Sequence, residues 1–208
     1  MIAIVNYGSG NIQAIGNIYN RLNIPYLVAS RPEELAQADR VILPGVGAFD
    51  QAMDELERSG LRGALDTFAL ERRKPVLGIC VGMQLLADRS DEGVAKGLGW
   101  IPGEVKRFDH AQFHQATHLP HMGWNTVDPL APSPLFADVD LATGYYFLHS
   151  YYYACRDAAD ALAVTDYGAR FTCAVRHANV FGVQFHPEKS HQAGIQLLRN
   201  FAERDLAA

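Results

Sequence analysis

Val76-Leu77-Gly78-Ile79-Cys80-Val81-Gly82-Met83-Gln84-Leu85-Leu86 sets a short apolar run before a glycine-flanked cysteine and a second apolar run after it. The first run, bounded by a turn signal, reads as a buried strand, and the second opens a helix. A strand turning sharply into a helix holds its central residue in a strained conformation, and glycine two residues to either side leaves the backbone room to pass. Cys80 is thereby a candidate nucleophile in a Gly-x-nucleophile-x-Gly arrangement. The helix expected from Val81 would point its free N–H groups and positive dipole end at the sulfur, with the Val81 amide as an oxyanion donor. Alone, the motif fits a structural cysteine near a tight turn as well.

Upstream, short β-branched runs alternate with helical periods. Ile2 to Val5 reads as a strand, and Ile12, Ile15, Tyr19 and Leu22 recur at helical steps. Tyr26 to Ala29, a helix start at Pro32-Glu33-Glu34, Val41 to Leu43 and helical stretches between Phe49 and Arg73 lead up to Val76. Repeated strand–helix units imply a parallel sheet covered on both faces.

Downstream of about Gly99 the texture changes to short strands separated by turns: Val105 to Phe108, Gly123 to Val127, Tyr145 to Tyr153, Phe171 to Arg176 and Val180 to Gln184. Antiparallel pairing is the natural arrangement there. Ala193 to Ala207 returns to helical period, with Ile195, Leu198 and Phe201 or Ala202 on one face. The expected fold is α/β, an open, mostly parallel sheet flanked by helices with antiparallel strands in the C-terminal half. With 208 residues and no repeat or linker, one domain spanning residues 1–208 is expected.

Hydrophobic residues at 49% and charged residues at 20% place the chain among folded globular proteins. A net charge of −5, with no concentration of Lys and Arg, disfavours nucleic acid and acidic membrane surfaces as partners. No apolar run approaches the length of a transmembrane helix, and Met1 to Val5 carries no export signal. The three cysteines, Cys80, Cys155 and Cys173, are odd in number and irregularly spaced, which suits a reduced, cytoplasmic setting with Cys155 and Cys173 as inert buried thiols.

A partner for the thiol lies near the C-terminus, where Val180 to Phe185 ends in His186-Pro187-Glu188. In an extended backbone residues two apart share a face, so His186 and Glu188 would project together, and Pro187 stiffens the pair. A carboxylate beside an imidazole fixes its tautomer and stabilises the imidazolium. Cys80 as nucleophile, His186 as base and Glu188 as orienter make a catalytic set.

These residues resemble the class I glutamine amidotransferases, whose triad is a Cys on a Gly-x-Cys-x-Gly turn with a His-x-Glu late in the chain. Asn6-Tyr7-Gly8-Ser9-Gly10-Asn11, Pro44-Gly45-Val46-Gly47-Ala48-Phe49, Pro120-His121-Met122-Gly123-Trp124-Asn125 and Phe147-Leu148-His149-Ser150-Tyr151 narrow the resemblance to the glutaminase subunits of imidazole glycerol phosphate synthase, over Asn6 to Glu188. The resemblance implies hydrolysis of glutamine through a Cys thioester, without metal or cofactor. Ammonia would pass to a (β/α)₈-barrel cyclase partner in histidine synthesis. It implies Val46 or Gly47 as a second oxyanion donor on a loop with two orientations, and Gln84 and Glu92 as ligands of the substrate amide and α-amino regions. His149, Ser150 and Tyr151 would hold the substrate carboxylate. Asn11, Pro120, Met122 and Trp124 would face the partner. The sequence departs from the common pattern in carrying Val81 where Leu is more usual.

Three other readings compete. A Cys-His-Glu peptidase or free-standing glutaminase would share the triad. His110, His114, His118 and His121 hint at zinc, but Pro120 and the lack of a His-Glu-x-x-His arrangement argue for a loop. An inactive binding subunit conflicts with the intact Cys80, His186 and Glu188.

Overall fold

β1 (Ile2–Val5), α1 (Ile12–Leu22), β2 (Tyr26–Ala29), α2 (Pro32–Leu35), β3 (Arg40–Gly45), α3 (Phe49–Arg58), α4 (Arg62–Asp66) and β4 (Val76–Cys80) follow one another as the alternation predicts. They belong to a computed structural model that describes residues 1–114 and 117–206. β2, β1, β3 and β4 pair in that order, all parallel. Ile4, Val5, Val41, Ile42, Leu43, Val76 and Leu77 are fully buried, because helices cover both faces of such a sheet.

The chain continues through α5 (Val81–Gln84), β5 (Arg89–Ser90), β6 (Gly103–Arg107), β7 (His121–Asn125), β8 (Asp128–Pro129), β9 (Tyr145–His149) and β10 (Tyr151–Cys155). β11 (Ala161–Asp166), β12 (Arg170–His177), β13 (Val180–Val183) and α6 (His191–Glu203) complete it. β13 adds parallel to β4, with Val183 opposite Ile79, and β12, β10 and β6 extend the sheet by antiparallel pairing. The fold class is therefore the one expected, a mixed sheet parallel on one side and antiparallel on the other apart from the two-residue β5, which pairs parallel to β6 at the edge.

Several details differ from expectation. The run from Tyr145 to Tyr153 is two strands broken at Ser150: β9 leaves the large sheet to pair with β7 alone, while β10 joins β6 and β12. β11 has no counterpart in the sequence reading, since its alanines dilute the β-branched signal. The helix after Cys80 is one turn, because the carbonyls of Leu85, Leu86 and Ala87 accept from Leu98, Ile101 and Gly99 rather than from the next helical turn. Any dipole it directs at the sulfur is correspondingly small. The last helix runs His191–Glu203 and buries Ala193, Leu197, Leu198 and Phe201, while Ile195 is half-buried. The run expected to reach Ala207 stops at Glu203, where Arg204 turns extended (φ −79°, ψ 151°), and residues 204–206 are not helical. Positions 115, 116, 207 and 208 of the expected 1–208 domain lie outside the described residues.

Candidate active site

Cys80 ends β4 with φ 55° and ψ −114°, a left-handed conformation that only a tight surround holds in a non-glycine residue. The two flanking glycines are required by contact. A Cβ on Gly78 would lie 2.6 Å from the Gly82 carbonyl oxygen, and one on Gly82 would lie 1.9 Å from that of Leu43. The turn therefore seats against β3 at van der Waals distance and delivers Cys80 to a pocket of about 320 Å³ at the carboxyl ends of the parallel strands. Ligands bind in that position in open α/β sheets.

His186 reaches this pocket because β13 lies beside β4, three residues short of it. Its Nδ1 and Glu188 Oε1 are 2.8 Å apart. The pairing expected from an extended chain is made differently: Pro187–Lys189 forms a 3₁₀ turn, and the turn brings the carboxylate back under the imidazole. The Glu188 side chain is 1% exposed, and its Oε1 also accepts from Asn11 Nδ2 at 2.7 Å. Burial alone would lower the His186 pKa. The hydrogen bonds with Cys80 and Glu188 and the negative charge on both outweigh it and lift the value to about 10. Burial likewise works to raise Glu188, yet its bonds to His186 and Asn11 hold it below the ordinary carboxylate range.

Pro44 to Gly47 follows β3, whose Gly45 pairs with Cys80, so the loop borders the thiol as expected. Val46 N–H, however, donates to Ser9 Oγ at 2.9 Å, and Ser9 Oγ–H donates to the Val46 carbonyl at 2.9 Å. In this conformation the Val46 amide is committed to Ser9 instead of the pocket. Gly47, with φ +91°, is the residue that could let the peptide turn over. Ser9 lies within the quoted Asn6 to Asn11 motif, but nothing in sequence spacing ties it to a loop 37 residues away.

Gln84, Glu92, His149, Ser150 and Tyr151 all line the same pocket, as do Val81 and Gly47. Gln84 Nε2 donates to Gln184 Oε1 at 3.0 Å, and Gln184 Nε2 lies 3.8 Å from Cys80 Sγ. Gln184 was not singled out by the sequence reading, although a carboxamide in the apolar run Val180 to Phe185 was a visible anomaly. Glu92 Oε2 accepts from the Phe49 N–H at 2.8 Å and so caps α3 while its side chain borders the pocket.

Of the residues expected at a partner face, Met122 and Trp124 are 64% and 48% exposed, so neither fills the core of this domain. They sit on one face of the β7–β9 ribbon with Leu148, opposite Met122, also exposed. Trp124 stacks on His191, and Pro120 lines the pocket. Asn11 lines the same pocket, and its side-chain amide donates to the Glu188 carboxylate.

His121 turns to the other face of that ribbon and is 2% exposed, its Nδ1 lying 3.0 Å from His149 Nε2. His110 packs on Phe113, and His114 approaches Asp166. Among the described residues no three His, Cys, Asp or Glu side chains are grouped to hold a metal ion. Burial pushes the Cys173 and Cys155 thiols up, the latter to about 12. No helix among the described residues is long and apolar enough to cross a membrane.

Residues 3–204 match the family model described as "Glutamine amidotransferase class-I". The chain is 53% identical to the imidazole glycerol phosphate synthase subunit HisH of Bdellovibrio bacteriovorus, over 98% of this chain and 100% of that one. It is 46% identical to the subunit of the same name from Leptospira interrogans, over 97% and 99%. Among solved structures it resembles a glutamine amidotransferase (TM-score 0.71, 18% identity, 97% of each chain) and PurLQS from Thermotoga maritima (TM-score 0.68, 18% identity, 97% and 96%). At such identities these two speak for the fold alone.

Proposed function

The chain belongs to the class I glutamine amidotransferases and, within them, to the HisH subunits of imidazole glycerol phosphate synthase, and from that premise we propose that Cys80, His186 and Glu188 hydrolyse glutamine for a synthase partner. The observation that carries the proposal is a strained cysteine beside a buried imidazole–carboxylate pair in one pocket.

The chemistry follows from the charges. A protonated His186, bonded to both Cys80 and Glu188, leaves the sulfur as the nucleophile that attacks the carboxamide carbon of glutamine. His186 gives its proton to the departing nitrogen; the C–N bond breaks, ammonia leaves and a thioester remains. Acylation removes the sulfur's negative charge and its hydrogen bond, two of the influences holding the imidazole charged. The ring's pKa therefore falls, which suits it to take a proton from water. The resulting hydroxide attacks the thioester, the C–S bond breaks, and glutamate and the starting thiolate–imidazolium pair are released.

The tetrahedral intermediates need donors for the oxyanion. Val81 N–H stands at the start of the turn after Cys80, and Val46 or Gly47 is the second donor. With Val46 N–H on Ser9, that second donor is withheld, so the isolated chain has its triad assembled and its oxyanion site half-built. Docking of the partner supplies the turnover of the loop. Gln84, Glu92 and the His149 to Tyr151 segment bind glutamine; Glu92 has a carboxylate for the α-ammonium beyond the bond that caps α3.

Ammonia protonates in water and loses its nucleophilicity, so it is delivered within an assembly. We assign the partner to the exposed apolar face of Met122, Trp124 and Leu148 beside Pro120, and its identity to a (β/α)₈-barrel cyclase in the cytoplasm. The test is glutamate release by the purified chain, alone and with cyclase and its nucleotide ligand. A low rate that rises by orders of magnitude on assembly supports the gated subunit. A high rate that the cyclase leaves unchanged favours an independent hydrolase.

A further inference from the structure

We infer that Gln184 is a positioning residue of this hydrolysis, backing the Cys80 sulfur with one end of its carboxamide and fixing the orientation of Gln84 with the other. The inference rests on the glutaminase reading above and extends it to a residue outside the triad.

Gln184 follows β13 directly and is fully buried in a run otherwise composed of Val180, Phe181, Gly182, Val183 and Phe185. A carboxamide withdrawn from water costs free energy unless both its ends find partners, so an apolar side chain of similar size would suit packing better there. Both ends do find partners. Oε1 accepts from Gln84 Nε2 at 3.0 Å, and Nε2 lies 3.8 Å from Cys80 Sγ, within reach of a sulfur acceptor.

The direction of this chain is determined at its sulfur end. A thiolate can only accept, so the Gln184 NH₂ must face it, which turns Oε1 toward Gln84. Gln84 must then offer its own NH₂ to Gln184, and its carbonyl oxygen is left as the free acceptor of a side chain that lines the pocket. Swapping either amide would set two carbonyls or two NH₂ groups face to face. The orientation of Gln84 is thus set by the nucleophile through Gln184. A carboxamide substrate has N–H groups for that acceptor, whereas the carboxylate of glutamate has none, so the same chain favours glutamine over the product.

The test uses the full chain with Gln184→Met, which keeps volume and removes both hydrogen-bonding ends. Alkylation of Cys80 by iodoacetamide is followed against pH by mass spectrometry of the Cys80 peptide, and kcat and KM for glutamine are measured on the chain assembled with the cyclase. The titratable groups facing the sulfur, His186 beyond β13 and Tyr7 from the loop after β1, are unaltered in the variant, so a difference in profile reports Gln184. The expected result is an alkylation midpoint raised by about 1 pH unit, as for loss of a hydrogen bond to a charged group, and a kcat/KM lowered roughly tenfold. Unchanged alkylation and kinetics in folded Gln184→Met would overturn the inference. Should that variant fail to fold, the isosteric Gln184→Glu carries the same test: its carboxyl end would raise the midpoint, and an unmoved midpoint sinks the idea. Alkylation needs no glutamine, so a Gln184-dependent profile in a wild-type chain that never hydrolyses glutamine would refute the glutaminase reading while upholding the contact.

Discussion

Two pairs of buried side chains beside one pocket treat histidine in opposite ways. At the triad, His186 faces a thiol and a carboxylate and is held charged, with a pKa of about 10. In the ribbon of β7 and β9, His121 and His149 face each other. Burial lowers His121 to about 4, and burial together with the His121 ring lowers His149 to about 3. The tautomers of that second pair follow from its ends. The Tyr151 carbonyl only accepts, so His149 Nδ1 donates to it at 2.7 Å; His149 Nε2 then accepts from His121 Nδ1 at 3.0 Å. Phe147 and Tyr167 stack on the His121 ring. Burial favours the neutral ring at both places, and only a negatively charged neighbour reverses it. A buried histidine is therefore read from what faces it.

The largest break in the contrast comes from removing the sulfur. Cys80→Ala is expected to abolish glutamine hydrolysis, a loss of several orders of magnitude, while ammonia-dependent synthesis by the partner continues. The same variant should lower the His186 titration midpoint in an NMR pH series. Hydrolysis at a normal rate would mean that another group is the nucleophile.

Glu188→Gln attacks the contrast from the other side. It keeps the shape but removes the charge, so activity should fall roughly a hundredfold and the His186 midpoint should move down toward those of its neighbours. A variant with full activity would demote Glu188 to a structural role.

On the neutral side, His121→Phe retains ring packing but leaves His149 Nε2 without its donor. It should cost about 1–3 kcal/mol in denaturant unfolding. No measurable loss would show that the His121–His149 bond carries no stability.

The smallest effect is also the most discriminating, because the two regions give opposite pH slopes. His121 and His149 stay neutral in the native state while the unfolded chain takes up protons below about 6.5, so stability falls as pH drops from there toward 4. Glu188, held low, adds to that acid limb below its ordinary value. His186 keeps in the native state a proton that the unfolded chain has lost, so its contribution is full below about 6.5 and disappears as pH rises toward 10. Melting temperature against pH should show both limbs. His121→Phe should flatten the acid limb and Glu188→Gln the alkaline one; variants whose limbs both match wild type would dissolve the distinction.

Much of this site was legible in the chain because its chemistry is local. Gly78, Cys80 and Gly82 lie in one turn, and His186 and Glu188 two residues apart, so spacing marked them as candidates. The 3₁₀ turn that joins the latter pair was hidden, because Pro187 fits both an extended chain and the first turn of a 3₁₀ helix. Ser9 on Val46, Asn11 on Glu188 and Gln184 on Cys80 cross 37, 177 and 104 residues, and no local period reports such distances.

The sequence by itself determined the strand–helix alternation, the strained cysteine and the candidate base, since hydrophobic period and backbone sterics act over a few neighbours. Only the tertiary structure decided that β13 inserts beside β4, a pairing of residues about a hundred positions apart. That single placement brings imidazole to thiol, seats Gln184 behind the sulfur and, through the charges it gathers, holds one buried histidine protonated while burial keeps two others neutral.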